Sequence, residues 1–223
     1  IKDAKAHFSG GNECFGVVPM DNPFQCQCPA CQALLVPEAE KAKEFSSGNS
    51  SELIWYFTDQ VARGVREEYP DRYIGQLSYF DYFARPKKTA LSPNIIAGPC
   101  MGLATCDSLD PKFNHEMRMY NEWVEVKQHT GLILSMWIYQ CFPNETGGTR
   151  GFRNFPGFHA HKLETYMKML ARDRIDGVFL CGVSSHIDGY LTLKLMDDAN
   201  LDIDKAMDEF FALYYGKAGV PLR

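Results

Sequence analysis

The sequence lacks the long apolar and basic runs that are typical of membrane and nucleic-acid-binding proteins. No apolar stretch approaches the roughly 18 to 20 residues that a membrane-spanning helix needs. No cluster of lysine and arginine is longer than Lys87-Lys88, and the formal net charge is −5. This chain therefore offers no basic run for phosphate backbones or anionic lipid, and we expect neither a nucleic-acid partner nor a membrane span.

The sequence also lacks the short motifs of several large enzyme classes. It contains neither GxxxxGK[ST] nor a GxGxxG that follows a strand, so it has no recognisable cradle for a nucleotide phosphate. It contains no GxSxG, so a serine hydrolase has no candidate nucleophile.

Short apolar runs alternate with helical patterns along the 223 residues. The runs, which predict buried parallel strands, are "CFGVVPM", "YIGQLSY", "NIIAGP", "LILSMWIY" and "GVFLCGV". Strand and helix in alternation predict an α/β fold. Five strands fit either a self-contained doubly wound sheet or the C-terminal part of an eight-stranded (β/α)8 barrel with outer helices. The chain begins at Ile1 inside a helical pattern, which suggests a processed protein or a fragment.

The helical patterns have recognisable ends. Asn114 is placed to cap a helix that stops at Gly131, and Asp202 is placed to cap one that Gly216 closes. Another helix starts behind Ser50 and Ser51. Its predicted buried face consists of Leu53, Ile54, Phe57, Val61 and Val65.

Aromatic, amide and acidic residues follow the predicted strands. Aromatic faces stack on the C–H surfaces of a pyranose, while carboxylates and amides bind its hydroxyl groups. In both architectures the carboxyl ends of parallel strands form the ligand site. The candidate substrate-binding residues at these ends are Asn22, Tyr79, Asp81, Tyr82, Trp137 and Tyr139. They predict a carbohydrate ligand.

The segments "VVPMDN", "CQCPAC", "YPDRYIGQLSY", "PNIIAGPC" and "EFFALYYGKAG" resemble the bacterial family named domain of unknown function 4838. The resemblance runs from about Cys14 to Gly219. It implies a TIM-barrel glycosidase-like domain, similar in outline to α-glucuronidases, of which residues 1–223 form one partial barrel closed by a helix at 202–216. It also implies that the first strands of the barrel are absent from this chain, and that the protein is extracellular or periplasmic.

Glycoside hydrolysis normally needs two carboxyl groups on either side of the scissile bond. Asp21, at the end of the first strand behind Pro19, is the candidate catalytic residue; it also fits an ordinary Asp-Asn-Pro turn. The candidates for the second carboxyl group are Asp81, Glu145 and Asp188. Members of the resembled family commonly carry an acid or amide where this chain has Cys181. The carbohydrate site and the resemblance predict a glycoside hydrolase. The departure at Cys181 favours the alternative, a non-catalytic carbohydrate-binding or scaffold domain.

Three cysteines, Cys26, Cys28 and Cys31, lie within six residues, and a helical pattern follows them. This spacing lets three thiolates converge on a metal, for which structural zinc is the first candidate. A disulfide is the alternative in an oxidising compartment, and free thiols are the third. In each case we expect the cluster to be structural, holding the loop after Asp21, and we expect catalysis to require no cofactor.

Overall fold

The computed structural model describes residues 1–20, 25–102, 108–140, 159–183 and 185–222. Its strands are β1 (Cys14–Gly16), β2 (Tyr73–Ser78), β3 (Ile95–Gly102), β4 (Ile133–Tyr139) and β5 (Gly177–Leu180). Its helices are α1 (Lys2–Ser9), α2 (Pro29–Gln32), α3 (Ser51–Arg66), α4 (His115–Thr130), α5 (Ala160–Arg172), α6 (His186–Asp197), α7 (Ile203–Tyr215) and α8 (Gly219–Leu222). None of the helices in these ranges combines the length and the apolar character needed to cross a membrane.

The strands form one five-stranded sheet in the order β1-β2-β3-β4-β5. Phe15 of β1 pairs with Ile74 of β2, and Ile74 pairs with Ile95 of β3, both in parallel register. All five strands run parallel and the sheet curls, which is consistent with part of an α/β barrel. Each strand lies within or overlaps one of the apolar runs, so the α/β prediction is confirmed.

The described residues form two compact units, each with its own core. The first contains Ile1–Cys100, Ser108–Trp137 and Asp176–Val178, and the remaining described residues form the second. Large side chains fill both cores. Those of the first unit include Trp55, Phe83, Tyr120 and Trp123, and those of the second include Leu163, Tyr166, Leu191 and Phe210.

The predicted helix ends are confirmed by their capping geometry. The Asn114 side chain accepts a hydrogen bond from the backbone N–H of Met117 at 3.1 Å, and Gly131 ends α4 with φ 72°. The Asp202 carboxylate accepts one from the backbone N–H of Lys205 at 3.2 Å. Gly216 ends α7 with φ 55°. Only glycine adopts such left-handed conformations at little cost, which is why the glycine pattern located these ends.

The predicted buried face of α3 is wrong at one large residue. Phe57 is 55% exposed, whereas Trp55 is fully buried. The buried stripe also contains Thr58 and Asp59, whose polarity hid it from an apolar pattern. Both are satisfied: the Thr58 hydroxyl donates to the carbonyl of Ile54, and the Asp59 carboxylate accepts from the backbone N–H of Ser92. The predicted face is confirmed at Leu53, Val61 and Val65, and hydrogen bonds made within the fold allow the two polar residues to be buried beside it.

Candidate functional site

A pair of buried tryptophans fixes the chain where it leaves β2. The chain makes a 3₁₀ turn at Phe80–Tyr82, directly after this strand. The rings of Trp55 and Trp123 lie 4.6 Å apart between centroids. The Trp55 indole donates to the carbonyl of Tyr82 at 3.3 Å, and the Trp123 indole donates to that of Phe83 at 2.8 Å. The core of the first unit thus fixes the backbone at the end of this turn.

Three aromatic rings cluster on this turn, and we call Phe45, Tyr79 and Phe80 the aromatic platform. The Phe45 ring centroid lies 5.5 Å from that of Tyr79 and 5.1 Å from that of Phe80. Phe45 is 55% exposed, so the platform offers an aromatic face to solvent. Sequence reasoning missed Phe45; its signal is a lone aromatic residue in the polar segment "KEFSSG".

The backbone of Phe80 is strained. Its φ is 51°, a left-handed conformation that is uncommon for a residue other than glycine. Such a conformation costs about 1 to 3 kcal/mol and is found where the surrounding structure imposes it, often at ligand sites. Here the backbone N–H of Ser47 donates to the Phe80 carbonyl at 2.8 Å, which joins the Phe45 segment to the turn.

Asp81 ties the turn to the start of α3. The backbone N–H of Ser50 donates to the Asp81 carbonyl at 2.8 Å, and the Ser50 hydroxyl donates to the Asp81 carboxylate. The Gln25 side chain, just before the cysteine cluster, donates to the Ser50 hydroxyl oxygen at 3.3 Å. The Asp81 carboxylate, predicted to bind substrate, is therefore already hydrogen-bonded to Ser50, whose hydroxyl also contacts the Gln25 segment.

The other predicted substrate-binding residues differ in exposure. Tyr82 is 5% exposed, so its side chain offers little surface to a ligand. Trp137 and Tyr139 are half-buried, and the residues between and before them in β4, Ile138 and Met136, are buried. Trp137 belongs to the first unit and Tyr139 to the second. Asp21, Asn22 and Glu145 lie outside the described residues, so those predictions stand as made.

Asp188, the remaining candidate for a second carboxyl group, lies in the second unit and is 1% exposed. Its carboxylate accepts a hydrogen bond from the backbone N–H of His159, the residue before α5, at 3.1 Å. Its own backbone N–H donates to the Ser185 hydroxyl at 3.2 Å, at the start of α6. These contacts give Asp188 a structural role at two helix ends.

The three clustered cysteines converge. The sulfur atoms of Cys26, Cys28 and Cys31 all lie within 4.8 Å of one another. Cys26 and Cys28 are exposed, and no disulfide joins the cysteines of the described ranges. The Gln32 side chain donates to the Cys26 carbonyl at 2.6 Å, which closes the loop around the sulfurs. Three thiolates in this arrangement can bind a metal ion.

The thiols of this cluster share protons unequally. The pKa of Cys28 lies below its ordinary value, first because the backbone N–H of Cys31 donates to its sulfur and then because the neighbouring thiols do so. The hydrogen bond from Cys31 to Cys28 raises the pKa of Cys31 to about 11. The cluster therefore favours a thiolate at Cys28, the form in which cysteine binds a metal.

Glu52, in the first turn of α3, holds the loop at 86–89. Its carboxylate accepts hydrogen bonds from the backbone N–H groups of Lys87 and Lys88, each at 3.0 Å, and of Thr89 at 2.7 Å. The Thr89 hydroxyl donates a fourth at 2.6 Å. Burial raises the pKa of Glu52, but these hydrogen bonds outweigh burial and leave it below its ordinary value. No pattern in the sequence pointed to this contact.

We expect Glu52→Gln to lower the free energy of unfolding by about 1 to 2 kcal/mol at pH 7, since one amide cannot accept all four bonds. Because the folded state lowers this pKa, the stabilisation is present above the unfolded value of about 4.3 and is lost as the pH falls through the folded value. Urea unfolding of both proteins at pH 7 and at pH 3.5 measures this. Glu38→Gln, which breaks an exposed pair with Lys41, is the control. A difference that does not shrink at pH 3.5 would contradict the role.

Comparison with known proteins gives one family. The model of a family described as "Domain of unknown function (DUF4838)" matches residues 3–223, nearly the whole chain. No curated protein matches the chain, and no solved structure does. The likeness thus carries no activity with it, and any function must be argued from the residues.

Proposed function

The chain belongs to the DUF4838 family, and from that premise we propose that it is a carbohydrate-active domain, a glycoside hydrolase acting on a polysaccharide or oligosaccharide. The aromatic platform, which carries the proposal, binds the sugar. An extracellular or periplasmic location, where such polymers are found, is part of the proposal.

The position and exposure of the platform support carbohydrate binding. It follows a parallel strand at the carboxyl end, the edge at which α/β folds bind their ligands. The two tryptophans hold the backbone of the turn that carries Tyr79 and Phe80, and a hydrogen bond from Ser47 to Phe80 joins the Phe45 segment to it. A rigid exposed aromatic surface stacks on a pyranose with little loss of side-chain entropy.

The hydrolytic step is assigned to carboxylate acid and base chemistry with Asp21 as the candidate catalytic residue. Asp21 follows β1, and β1 pairs with β2, the strand that leads to the platform. Retaining and inverting glycosidases both need a second carboxyl group, at about 5 to 9.5 Å from the first. Glu145, which lies outside the described residues, stays a candidate for that group.

A non-catalytic sugar-binding or scaffold domain is the second candidate function. The contacts of Asp81 and Asp188 favour it, because both carboxylates already accept hydrogen bonds that hold helix ends. A carboxylate held by such bonds is less free to reach the leaving group of a substrate. Two of the three candidates for the second carboxyl group are therefore weakened.

We expect Phe45→Ala to weaken binding of a neutral oligosaccharide about tenfold, since it removes the exposed ring of the platform. The measurement is isothermal titration calorimetry with the full chain. Phe113→Ala is the matched control, because Phe113 is 82% exposed in the same unit and does not contact the platform rings. Equal affinities for the two variants would contradict the platform as the sugar site.

A panel of aryl glycosides separates the two candidate functions. Turnover by the wild-type chain that is lost in Asp21→Asn supports the hydrolase. Sugar binding without turnover of any glycoside supports the non-catalytic domain. If neither binding nor turnover is found, the carbohydrate function fails altogether.

For the cysteine cluster we propose a structural zinc ion held by Cys26, Cys28 and Cys31. Zinc prefers thiolate ligands, and a bound ion would protect two exposed cysteines from oxidation outside the cytoplasm. Gln25, which precedes this cluster, donates a hydrogen bond to Ser50, and Ser50 donates one to Asp81, the residue after Phe80 of the platform. The ion would clamp the loop at the edge of the proposed sugar site and take no part in catalysis.

A further inference from the structure

A groove of about 570 Å³ in the first unit is lined by the same two segments that carry the aromatic platform. The backbone N–H of Ser47 donates to Phe80 at 2.8 Å, and that of Ala84 donates to Ser47 at 3.0 Å. Gly48 and Ala84 then line the groove. Its volume falls within the range of about 300 to 1,000 Å³ that is typical of ligand sites. The groove is thus next to the platform along both segments.

The groove has a cationic lining in a chain of negative net charge. Four cationic side chains line it, Arg85, Lys87, Lys88 and Arg118, against three carboxylates, Glu40, Glu52 and Glu122. The chain as a whole carries a formal charge of −5. A local excess of positive charge on an acidic protein favours an anionic ligand at that place.

The Glu52 carboxylate, which contacts the backbone of the two lysines, is already hydrogen-bonded. The four donors at Glu52 fill its acceptor positions and fix the loop that carries Lys87 and Lys88. Within the described ranges the ammonium groups of these lysines make no ion pair with a carboxylate. Both side chains are exposed and can reach a ligand in the groove.

Arg85 is a half-buried guanidinium with spare hydrogen-bonding capacity. Its Nη1 donates to the Pro86 carbonyl at 3.3 Å, and its Nε lies 3.6 Å from the Glu122 carboxylate, too far for a hydrogen bond. The buried Nε has no hydrogen-bond partner within the described part of the chain. A guanidinium in this state suits a carboxylate or sulfate, which it binds through two parallel hydrogen bonds.

Arg118 is held in place at the same groove by His115. The His115 Nε2 donates to the Ser46 carbonyl at 2.8 Å, so its Nδ1 is the acceptor for the Arg118 guanidinium at 2.5 Å. Apolar side chains complete the lining, namely Leu34, Leu35, Val36, Pro37 and Met119. The groove therefore offers both an apolar surface for a ring and fixed positive charge for an anionic substituent.

We propose that this groove is a subsite for the anionic residue of a saccharide, a sugar that carries a carboxylate or a sulfate group. Arg85, Lys87 and Lys88 bind the anionic group while the apolar wall contacts the ring. The inference rests on the proposed carbohydrate function and names its substrate class, an acidic oligosaccharide that also contacts the platform.

The test is titration of the full chain with three oligosaccharides of equal length: a neutral β-glucan fragment, an oligogalacturonate and a sulfated chondroitin fragment. We expect at least one anionic oligosaccharide to bind about three- to tenfold more tightly than the neutral one at low salt, with the advantage falling as salt is added. Comparison of the carboxylated and sulfated ligands tells which anionic group the subsite takes.

Variants locate the effect. Arg85→Gln/Lys88→Gln should bind all three ligands with the affinity of the neutral one. Lys87→Gln/Lys88→Gln, which changes only exposed side chains, gives the same test should loss of Arg85 impair folding. The matched control is Arg66→Gln/Lys112→Gln, which removes the same charge from exposed residues that do not line the groove.

The outcomes separate the two proposals. Equal affinity for neutral and anionic ligands, or a preference that survives both groove variants, overturns the subsite and leaves the carbohydrate function standing. Failure of every oligosaccharide to bind the wild-type chain overturns the carbohydrate function and the subsite with it. A preference for the anionic ligands that only the groove variants abolish supports both.

Discussion

Trp123→Ala is expected to lower the free energy of unfolding by about 3 to 5 kcal/mol, which corresponds to a fall in Tm of about 6 to 20 °C for a chain of this size. Trp123 is fully buried and packs against Trp55, so its removal leaves a cavity that the surrounding side chains cannot fill. Urea unfolding followed by circular dichroism measures the loss. Sugar binding should fall as well, because the indole holds the Phe83 carbonyl just after the platform turn.

Two further variants separate packing from hydrogen bonding. Trp123→Phe keeps most of the ring but loses the bond to Phe83, whose carbonyl still accepts from the Ser78 hydroxyl, so a loss of about 1 kcal/mol is expected. Phe57→Ala removes an exposed ring from α3 and should cost much less than Trp123→Ala. If Phe57→Ala proved the more destabilising variant, the described burial of α3 would be incorrect.

The fold followed from the sequence where local chemistry decides structure. Each apolar run contains or overlaps a strand because a short apolar stretch bounded by turn residues favours a strand over a helix. Among these strands β3 is buried at nearly every position, whereas β2 and β4 alternate between buried and half-buried residues. Asn114 and Gly131 marked the ends of α4 because a side-chain acceptor and a left-handed glycine act within a few residues. Phe57 was misjudged because the burial of Thr58 and Asp59 depends on partners elsewhere, one of which is Ser92.

The site was harder to predict than the fold because its parts are joined by contacts between distant segments. Tyr79 was predicted as a candidate because it directly follows a strand, whereas Phe45 is 34 positions earlier and reaches it only through the fold. The hydrogen bond between Ser50 and Asp81 was not predicted for the same reason, since the two residues lie 31 positions apart. The convergence of the three cysteines was predictable because they lie within six residues of the sequence.

The cysteine cluster gives the second large effect. The purified chain is expected to contain about one zinc ion. Cys28→Ser is expected to lower the zinc affinity about 100- to 1,000-fold, because each thiolate supplies a substantial share of the binding free energy of a structural zinc site, which is about 10 to 16 kcal/mol. The measurement is metal analysis with titration against a chelator of known affinity. Zinc at 1,000 times its Kd would stabilise the folded chain by about 4 kcal/mol, so chelation should lower the Tm.

Cys14→Ser is the matched control for this experiment. Cys14 is also an exposed cysteine of the first unit, but it is not among the three whose sulfurs converge, so its loss should leave zinc affinity unchanged. Cobalt in place of zinc gives a readout independent of stability, because thiolate-to-cobalt absorption scales with the number of bound thiolates and should fall in Cys28→Ser alone. A metal-free wild-type protein with a disulfide between two of Cys26, Cys28 and Cys31 would rule out the clamp, as would equal loss of zinc in both variants. In that case the link from Gln25 through Ser50 to Asp81 would hold the loop without a metal.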